Sequence, residues 1–273
     1  MAPEPLTLVV PLRLGPRADA ARARLASLLE SLPAGVGAIV SDDTPDLAER
    51  ARTAALAEAW GARHLAVPST AAPFSIGRLR DAGTEAAPEG WVMFHDVDFR
   101  APPDTYARLR DRLCRPPFDA PEAFACAPVR FLTRLGTALH PRLASPSWPL
   151  TDRLVRGSSA IVARRARLRA LGGHDPAFEG HGAEDFDLLH RLSEGFPAGP
   201  RPADYARDHG SRHRGPGGFR AYFGRYAEPL LAEGVVLVHL WHPRRTEDAR
   251  YYAARRRNFA LLEARLSAHS HVP

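Results

Sequence analysis

Two carboxylates stand two residues apart in the stretch Trp91–Arg100, WVMFHDVDFR. The apolar run Trp91–Phe94 reads as a buried strand emptying directly into Asp96 and Asp98. At a strand's end that spacing turns both acids the same way, beyond the sheet edge. Like charges this close are costly unless a cation or several donors meet them. A hard divalent ion such as Mn²⁺ or Mg²⁺, carrying phosphate oxygens, answers that need, and a solvated acidic turn is the plainer alternative. Other residues suited to chemistry lie far away in the chain. Asp42 and Asp43 close a second apolar run, and Glu184 and Asp185 follow the glycines Gly180 and Gly182. Those glycines allow close backbone approach to a ligand, and the acids would open a helix reaching about Arg191, where its dipole favours carboxylates. His239 and His242, three apart near the end of Val235–Leu240, suit a metal if neutral and packing otherwise.

The elements that must position these groups alternate. Leu6–Pro11 reads as a strand, Asp19–Leu32 as a helix, Val36–Val40 as a strand and Asp46–Trp60 as a helix. His64–Val67, the helix Ile76–Ala87 and the strand Trp91–Phe94 continue the series. Such alternation predicts an α/β fold with a mostly parallel sheet covered on both faces. Ligands in these sheets bind beyond the carboxyl ends of the strands, where Asp42, Asp43, Asp96 and Asp98 all fall. After residue 100 the pattern loosens. Pro102–Leu113 reads as a helix, Phe124–Leu132 as a strand, and 139–150 as a proline-rich loop whose Trp148 either stacks on a sugar or plugs the core. Ser158–Val162 reads as a strand, Arg164–Leu171 as a helix and Thr246–Ser267 as a terminal helix. The glycine-rich basic stretch 207–218 is either a lid over an anionic ligand or a surface loop. Neither an internal repeat nor a second domain boundary is visible.

The 273 residues suit one large domain, and 45% hydrophobic content supports a sizeable core. No run approaches the roughly 18 apolar residues of a membrane span, and the first residues lack a signal-peptide pattern. Cys114 and Cys126 have no metal-like spacing, so free thiols and a cytoplasmic location are expected. Net charge is +6 and every basic residue is Arg, which favours anionic partners. A basic face interleaved with aromatics is missing, so nucleic acid is not expected. Arg255, Arg256 and Arg257 could touch an anionic membrane surface, or form a solvated helical face.

Taken in order, these motifs resemble the GT-A glycosyltransferases, more narrowly the group shared by β-1,4-galactosyltransferases and bacterial capsule-type family 2 enzymes. Val10-Pro11-Leu12-Arg13 is similar to the family's nucleotide-contacting first strand. Phe74-Ser75-Ile76-Gly77-Arg78-Leu79-Arg80-Asp81-Ala82-Gly83 is similar to its Phe-Asn helix, and Asp96-Val97-Asp98 to its Asp-x-Asp. Gly157–Ala160 resembles the turn beneath the donor, and Gly180–Asp187 the Gly-Trp-Gly-Gly-Glu-Asp segment. His239-Leu240-Trp241-His242 stands where the late metal ligands occur. The likeness thins over 101–155 and 196–234. His181 replaces a Trp that helps hold sugar, Ile76 an Arg and Asp81 an Asn.

The resemblance implies a single GT-A domain over 1–273, with a Rossmann-like, mixed and mostly parallel sheet. It has a nucleotide-binding half (1–100), an acceptor and metal half (101–245) with the lid 207–218, and a C-terminal helix (246–268). It implies inverting transfer of galactose, GalNAc or a similar sugar from a UDP-sugar to a glycan, lipid-linked or small-molecule hydroxyl, in bacterial polysaccharide or glycoconjugate synthesis. Such an enzyme would work in the cytoplasm, with the inner membrane face as an option. Asp98, His239 and His242 would hold Mn²⁺ or Mg²⁺. Pro11, Arg13, Asp42, Asp43, Phe74, Arg78, Asp81, Asp96, Asp98 and Gly157 would bind the donor, and Glu184, His181 and Trp148 the acceptor. Asp185 would be the general base. The competing readings are a nucleotidyltransferase, an inactive nucleotide- or glycan-binding module, and a structural partner using its Arg-rich surface.

Overall fold

The computed structural model describes residues 4–15, 17–69, 74–102, 104–140, 150–206, 217–243 and 249–268, without the side chains of 249, 250 and 268. The strand β1 (Leu6–Leu12) is buried throughout and lies at the middle of a six-stranded sheet. Its neighbours are β2 (Val36–Asp42) and β4 (Trp91–Phe94), both parallel to it, and β3 (Arg63–Ala66) extends the sheet beyond β2. On the other side, β9 (Ile161–Arg164) pairs antiparallel with β4, and β6 (Phe124–Cys126) antiparallel with β9. The order is β3-β2-β1-β4-β9-β6. The expected α/β architecture holds.

Side chains of a strand alternate between faces, and β1 divides its residues accordingly. Leu6, Leu8, Val10 and Leu12 enter one core with Leu25, Leu28 and Leu29 of α1 (Ala18–Glu30) and Tyr106, Leu109 and Leu113 of α4 (Thr105–Leu113). Val9 enters the other, with Val92, Phe94 and the Leu188, Leu189 and Leu192 stripe of α7 (Glu184–Gly195). The helices α2 (Leu47–Ala59) and α3 (Ile76–Ala86) start on side-chain caps from Asp46 and Ser75. On α3, a Cβ at Gly83 would run into Val9 Cγ1 and lie 2.6 Å from Ser41 Oγ, so the glycine lets the helix press onto β1 and β2.

Beyond residue 100 the structure departs from the sequence reading. Phe124–Leu132 is two strands, because the chain turns at Ala127-Pro128 and leaves β6 for β7 (Val129–Leu132). A second, four-stranded sheet takes β7 in the order β5-β10-β7-β8, with β5 at Phe99–Arg100, β8 at Thr151–Val155 and β10 at Leu237–His239. The strand expected at Ser158–Val162 begins three residues later, since Ser158 turns its hydroxyl onto the Ala127 carbonyl at 2.6 Å. Leu139 ends a short helix, α5 (Arg134–Leu139), and 141–149 with Trp148 lie outside the described residues. The helix α6 (Arg165–Ala170) is shorter than expected, and α7 runs past Arg191 to Gly195. Within the stretch read as a lid, 207–216 lie outside the described residues, and Gly218 opens α8 (Gly218–Gly224). A 3-10 turn and α9 (Glu228–Ala232) follow. The terminal helix is two helices, α10 (Ala249–Ala253) and α11 (Arg255–Ala268), meeting at Ala254.

Candidate active site

Arg13, Asp43, Phe74 and Arg78, expected to bind the donor, gather where β1 and β2 end. Asp43 is fully buried and receives Arg13 Nε at 2.9 Å, Arg13 Nη2 at 2.5 Å and Arg78 Nη2 at 2.7 Å. Arg13 also lies over the Phe74 ring, 5.1 Å from its centroid. Asp42 faces inward instead. Its carboxylate accepts from Thr44 N at 2.8 Å and lies 3.2 Å from His64 Nε2, closing the turn after β2. Pro11 pairs with Ser41 in the β1–β2 register, past the point where β4 stops pairing with β1. Gly157 is packed against α8: a Cβ there would lie 2.9 Å from Phe223 Cβ, and its carbonyl accepts from Arg220 at 3.0 Å.

Asp96 and Asp98 do not share one direction. The strand stops at Phe94, and Phe99 N bonds back to the Asp96 carbonyl at 2.9 Å, so the acids sit on a turn, where strand alternation no longer applies. Asp96 accepts from Arg80 Nη2 at 2.9 Å. Asp98 pairs with Arg24 of α1 and lies 3.3 Å from His242 Nε2. Its carbonyl accepts Leu240 N at 2.9 Å, which ties the end of β10 to the acidic turn. His239 stacks on Phe131 (centroids 4.4 Å apart) with Phe99 at its edge. Burial first, aided by neighbouring His242, holds its pKa down at about 4, so the imidazole is neutral near pH 7. His242 Nδ1 lies 2.9 Å from the Pro243 carbonyl, leaving Nε2 towards Asp98. One ligand atom from each of Asp98, His239 and His242 falls within 4.8 Å of the others. A carboxylate with two imidazoles fits Mn²⁺ better than a hard-oxygen ion such as Ca²⁺, and the residues present fit that role.

The acid pair is set by an unusual entry to α7. Gly180 (φ +67°), Gly182 (φ +103°) and Ala183 (φ +73°) are all left-handed immediately before Glu184. Asp185 accepts from Arg80 Nη1 and lies 3.4 Å from His174 Nε2. Arg80 is 1% exposed and lies over Phe94, 5.3 Å from the ring centroid, while it bridges Asp185 and Asp96. His174 in turn lies 2.7 Å from Asp81 through Nδ1 and donates its backbone N–H to both Asp81 oxygens. Asp81 therefore holds the loop before α7. Burial opposes charge on His174, but hydrogen bonds and attraction from Asp185 and Asp81 overcome it and raise its pKa to about 9. The result is a chain of alternating charge, Asp81–His174–Asp185–Arg80–Asp96. Glu184 is 6% exposed, and its Oε2 has no hydrogen-bond partner among the described residues.

His181 lies between Tyr251 and Tyr252, with centroids 5.1 Å away in both cases. Burial and then Arg255 lower its pKa to about 4, keeping it neutral. Tyr251 also meets Phe74 at 5.6 Å, so α10 carries the aromatic surface from His181 across to Arg13. Sequence reasoning missed Arg80, His174, Arg24 and the two tyrosines. A nearby signal existed for Arg80, inside a helix already singled out, and for His174, in the glycine- and acid-rich stretch Gly173–Asp187.

The comparisons with known proteins agree on the architecture. Residues 131–264, close to half of the chain, match the Glycosyltransferase like family 2 profile. Among solved structures, a mannosyltransferase from Pyrobaculum calidifontis in complex with GDP-Man and Mn²⁺ superposes with a TM-score of 0.51 at 16% identity, covering 98% of this chain and 66% of that one. The chain has the GT-A glycosyltransferase fold, and its second half is similar to the family 2 profile. A mycobacterial protein aligns over 99% of this chain and 76% of its own, at 17% identity and a TM-score of 0.49. S. aureus TarS aligns over 66% of this chain at 12% identity and a TM-score of 0.42. The chain spans only 32% of TarS and about two-thirds of the mannosyltransferase. Among curated proteins, none matches the sequence. The family profile covers the second sheet, α7, β10 and most of α11, whereas the GT-A strands β1 to β4 lie before it.

Proposed function

We propose that this GT-A protein is a metal-dependent, inverting glycosyltransferase that moves a hexose such as galactose or GalNAc from a UDP-sugar to a hydroxyl acceptor. The convergence of Asp98, on the turn after β4, with His239 and His242 at the end of β10 carries this reading. Ligands of open α/β sheets occupy the edge beyond the carboxyl ends of the strands. Arg13, Asp43, Arg78 and Phe74 would receive the nucleotide, and Asp96 the ribose or sugar. His181 with Tyr251 and Tyr252 would form the wall against which an acceptor sugar stacks. Bound Mn²⁺ or Mg²⁺ at Asp98, His239 and His242 would supply Lewis-acid stabilisation of the departing diphosphate. The acceptor oxygen bonds to the anomeric carbon from the face opposite the diphosphate, whose C–O bond breaks with its electron pair. A carboxylate of the Glu184–Asp185 pair takes the acceptor's proton. One displacement inverts the anomeric centre. Among the described residues no helix is long and apolar enough to cross a membrane. Work at a cytoplasmic, membrane-adjacent site of bacterial glycan assembly, with at most peripheral contact, is part of the proposal.

The test is calorimetric titration of UDP with and without Mn²⁺, on wild type and Asp98→Asn. Metal-dependent binding that disappears in the variant is the expected result. The mannosyltransferase bound to GDP-Man makes GDP the control. GDP binding without UDP binding would keep the transferase reading and replace the donor. Absence of both would end it.

A further inference from the structure

Resting on the transfer reading above, with Asp185 as its base, we propose that His174 is a positioning residue: an imidazolium clamped by Asp81 that fixes Asp185 Oδ1 and leaves Oδ2 to the acceptor. Both ring nitrogens face carboxylates, Nδ1 lying 2.7 Å from Asp81 Oδ1 and Nε2 3.4 Å from Asp185 Oδ1. A neutral imidazole carries one N–H and would turn a lone pair on one of the two acids, whereas the doubly protonated ring donates to both. The ring has little room to swing away. It is buried against Phe94, with centroids 5.2 Å apart, and a Cβ at Gly77 would lie 2.9 Å from His174 Cβ.

The loop that carries His174 is fastened without the imidazole. Arg191 donates to the Leu171 and Gly173 carbonyls, and Arg265 joins Asp175 to Asp187. Asp81 accepts the backbone N–H of residue 174, which any amino acid but proline would offer. What only the side chain adds is the link from Asp81 to Asp185. Arg80 Nη1 and His174 Nε2 both take Oδ1 of Asp185, and among the described residues no hydrogen bond reaches Oδ2. The Asp185 side chain keeps 13% exposure. With one oxygen held from two sides the carboxylate does not rotate freely, so its second oxygen has a set direction before the acceptor arrives. The charged groups facing the ring are Asp81 on α3 and Asp185 and Glu184 on α7, with Arg80 behind Asp185. Burial opposes ionisation of Asp185, but Arg80 and then His174 outweigh it and hold the carboxyl below its ordinary range. In the step itself, the acceptor O–H proton passes to Asp185 Oδ2 as the acceptor oxygen bonds to the anomeric carbon. The diphosphate leaves with the electron pair of its C–O bond, and Asp185 returns the proton to solvent afterwards.

The experiment compares wild type with His174→Phe, which keeps a ring on Phe94 but has no N–H, and with Asp81→Asn, which keeps an oxygen for the backbone N–H of residue 174. Imidazole ¹⁵N NMR should show His174 doubly protonated at pH 7 in wild type. Carboxyl ¹³C NMR, with Asp185→Asn to assign the signal, should find the Asp185 titration lowest in wild type, higher in Asp81→Asn and highest in His174→Phe. The cation that lowers it is weakened in the one and removed in the other. UDP release from UDP-galactose and UDP-glucose in Mn²⁺, with water as acceptor, should fall about 10- to 10²-fold in kcat in His174→Phe while KM is kept. Its acid limb should move to higher pH with the Asp185 carboxyl. A neutral His174 ring at pH 7 overturns the proposal. So does an Asp185 titration that stays in place in folded Asp81→Asn and His174→Phe, or a His174→Phe enzyme with the wild-type kcat. If wild type binds neither UDP nor GDP with Mn²⁺, the transfer reading falls and takes the positioning role with it; intact nucleotide binding with an unmoved Asp185 titration sinks the positioning role alone.

Discussion

Replacing Arg80 by Met keeps much of its bulk on Phe94 but leaves Asp96 and Asp185 facing each other without their shared donor. Breaking a buried pair on one side costs about 3 kcal/mol or more, and urea denaturation of Arg80→Met should read that loss. His174 gives a pH signature. Its folded pKa, about 9, lies above the ordinary 6.5, so its contribution is complete below about pH 6.5 and disappears as pH rises through 9. Wild type should lose up to about 3 kcal/mol across that window, and His174→Gln should flatten the curve. At this scale the sequence was only partly legible. The grouping of Asp98, His239 and His242 could be anticipated because acids and histidines near strand ends are chemically suggestive. Arg80 could not, because an arginine inside a helix reads as a solvated face until tertiary packing removes the water around it.

Among the elements, α3 carries the most. It presents Arg78 to Asp43, Arg80 to two acids and Asp81 to the loop before α7, all at a depth set by Gly83 against Val9 and Ser41. Gly83→Ala should push the helix outward and cost about 1–3 kcal/mol despite alanine's better helix propensity, with a lower melting temperature and weakened UDP binding as readouts. The first four strands and their helices were legible because each is long enough for periodicity and ends in clear punctuation. The second sheet was not. Val235–Leu240 reads as a strand and contains β10, but β5 has two residues, too short for any pattern to register, and nothing local says that β10 belongs to a separate sheet. The split of Phe124–Leu132 between two sheets depends on Ala127 and Ser158 meeting across the fold, which no local window contains.

For the molecule as a whole, one apolar cluster runs from Leu8 and Val10 of β1 to Val129 of β7 and Leu237 of β10. Two sheets sharing a core should melt together, so calorimetry is expected to give one transition, and two separated peaks would contradict the shared core. The positive net charge, carried by arginine alone, raises the local concentration of anionic ligands. Nucleotide affinity should therefore fall as salt rises from about 0.05 to 0.5 M, where the Debye length shrinks several-fold.

Ala183 holds a left-handed backbone with its methyl buried in the core beside Phe186. Glycine there would relieve about 1 kcal/mol of strain but forfeit that burial and enlarge the freedom of the unfolded chain, so the net change in stability is small. What the methyl contributes is stiffness. With a side chain at this joint the first turn of α7 has one way to start, and Glu184 and Asp185 are aimed before any substrate arrives, so the cost of orienting them falls on folding instead of on each turnover.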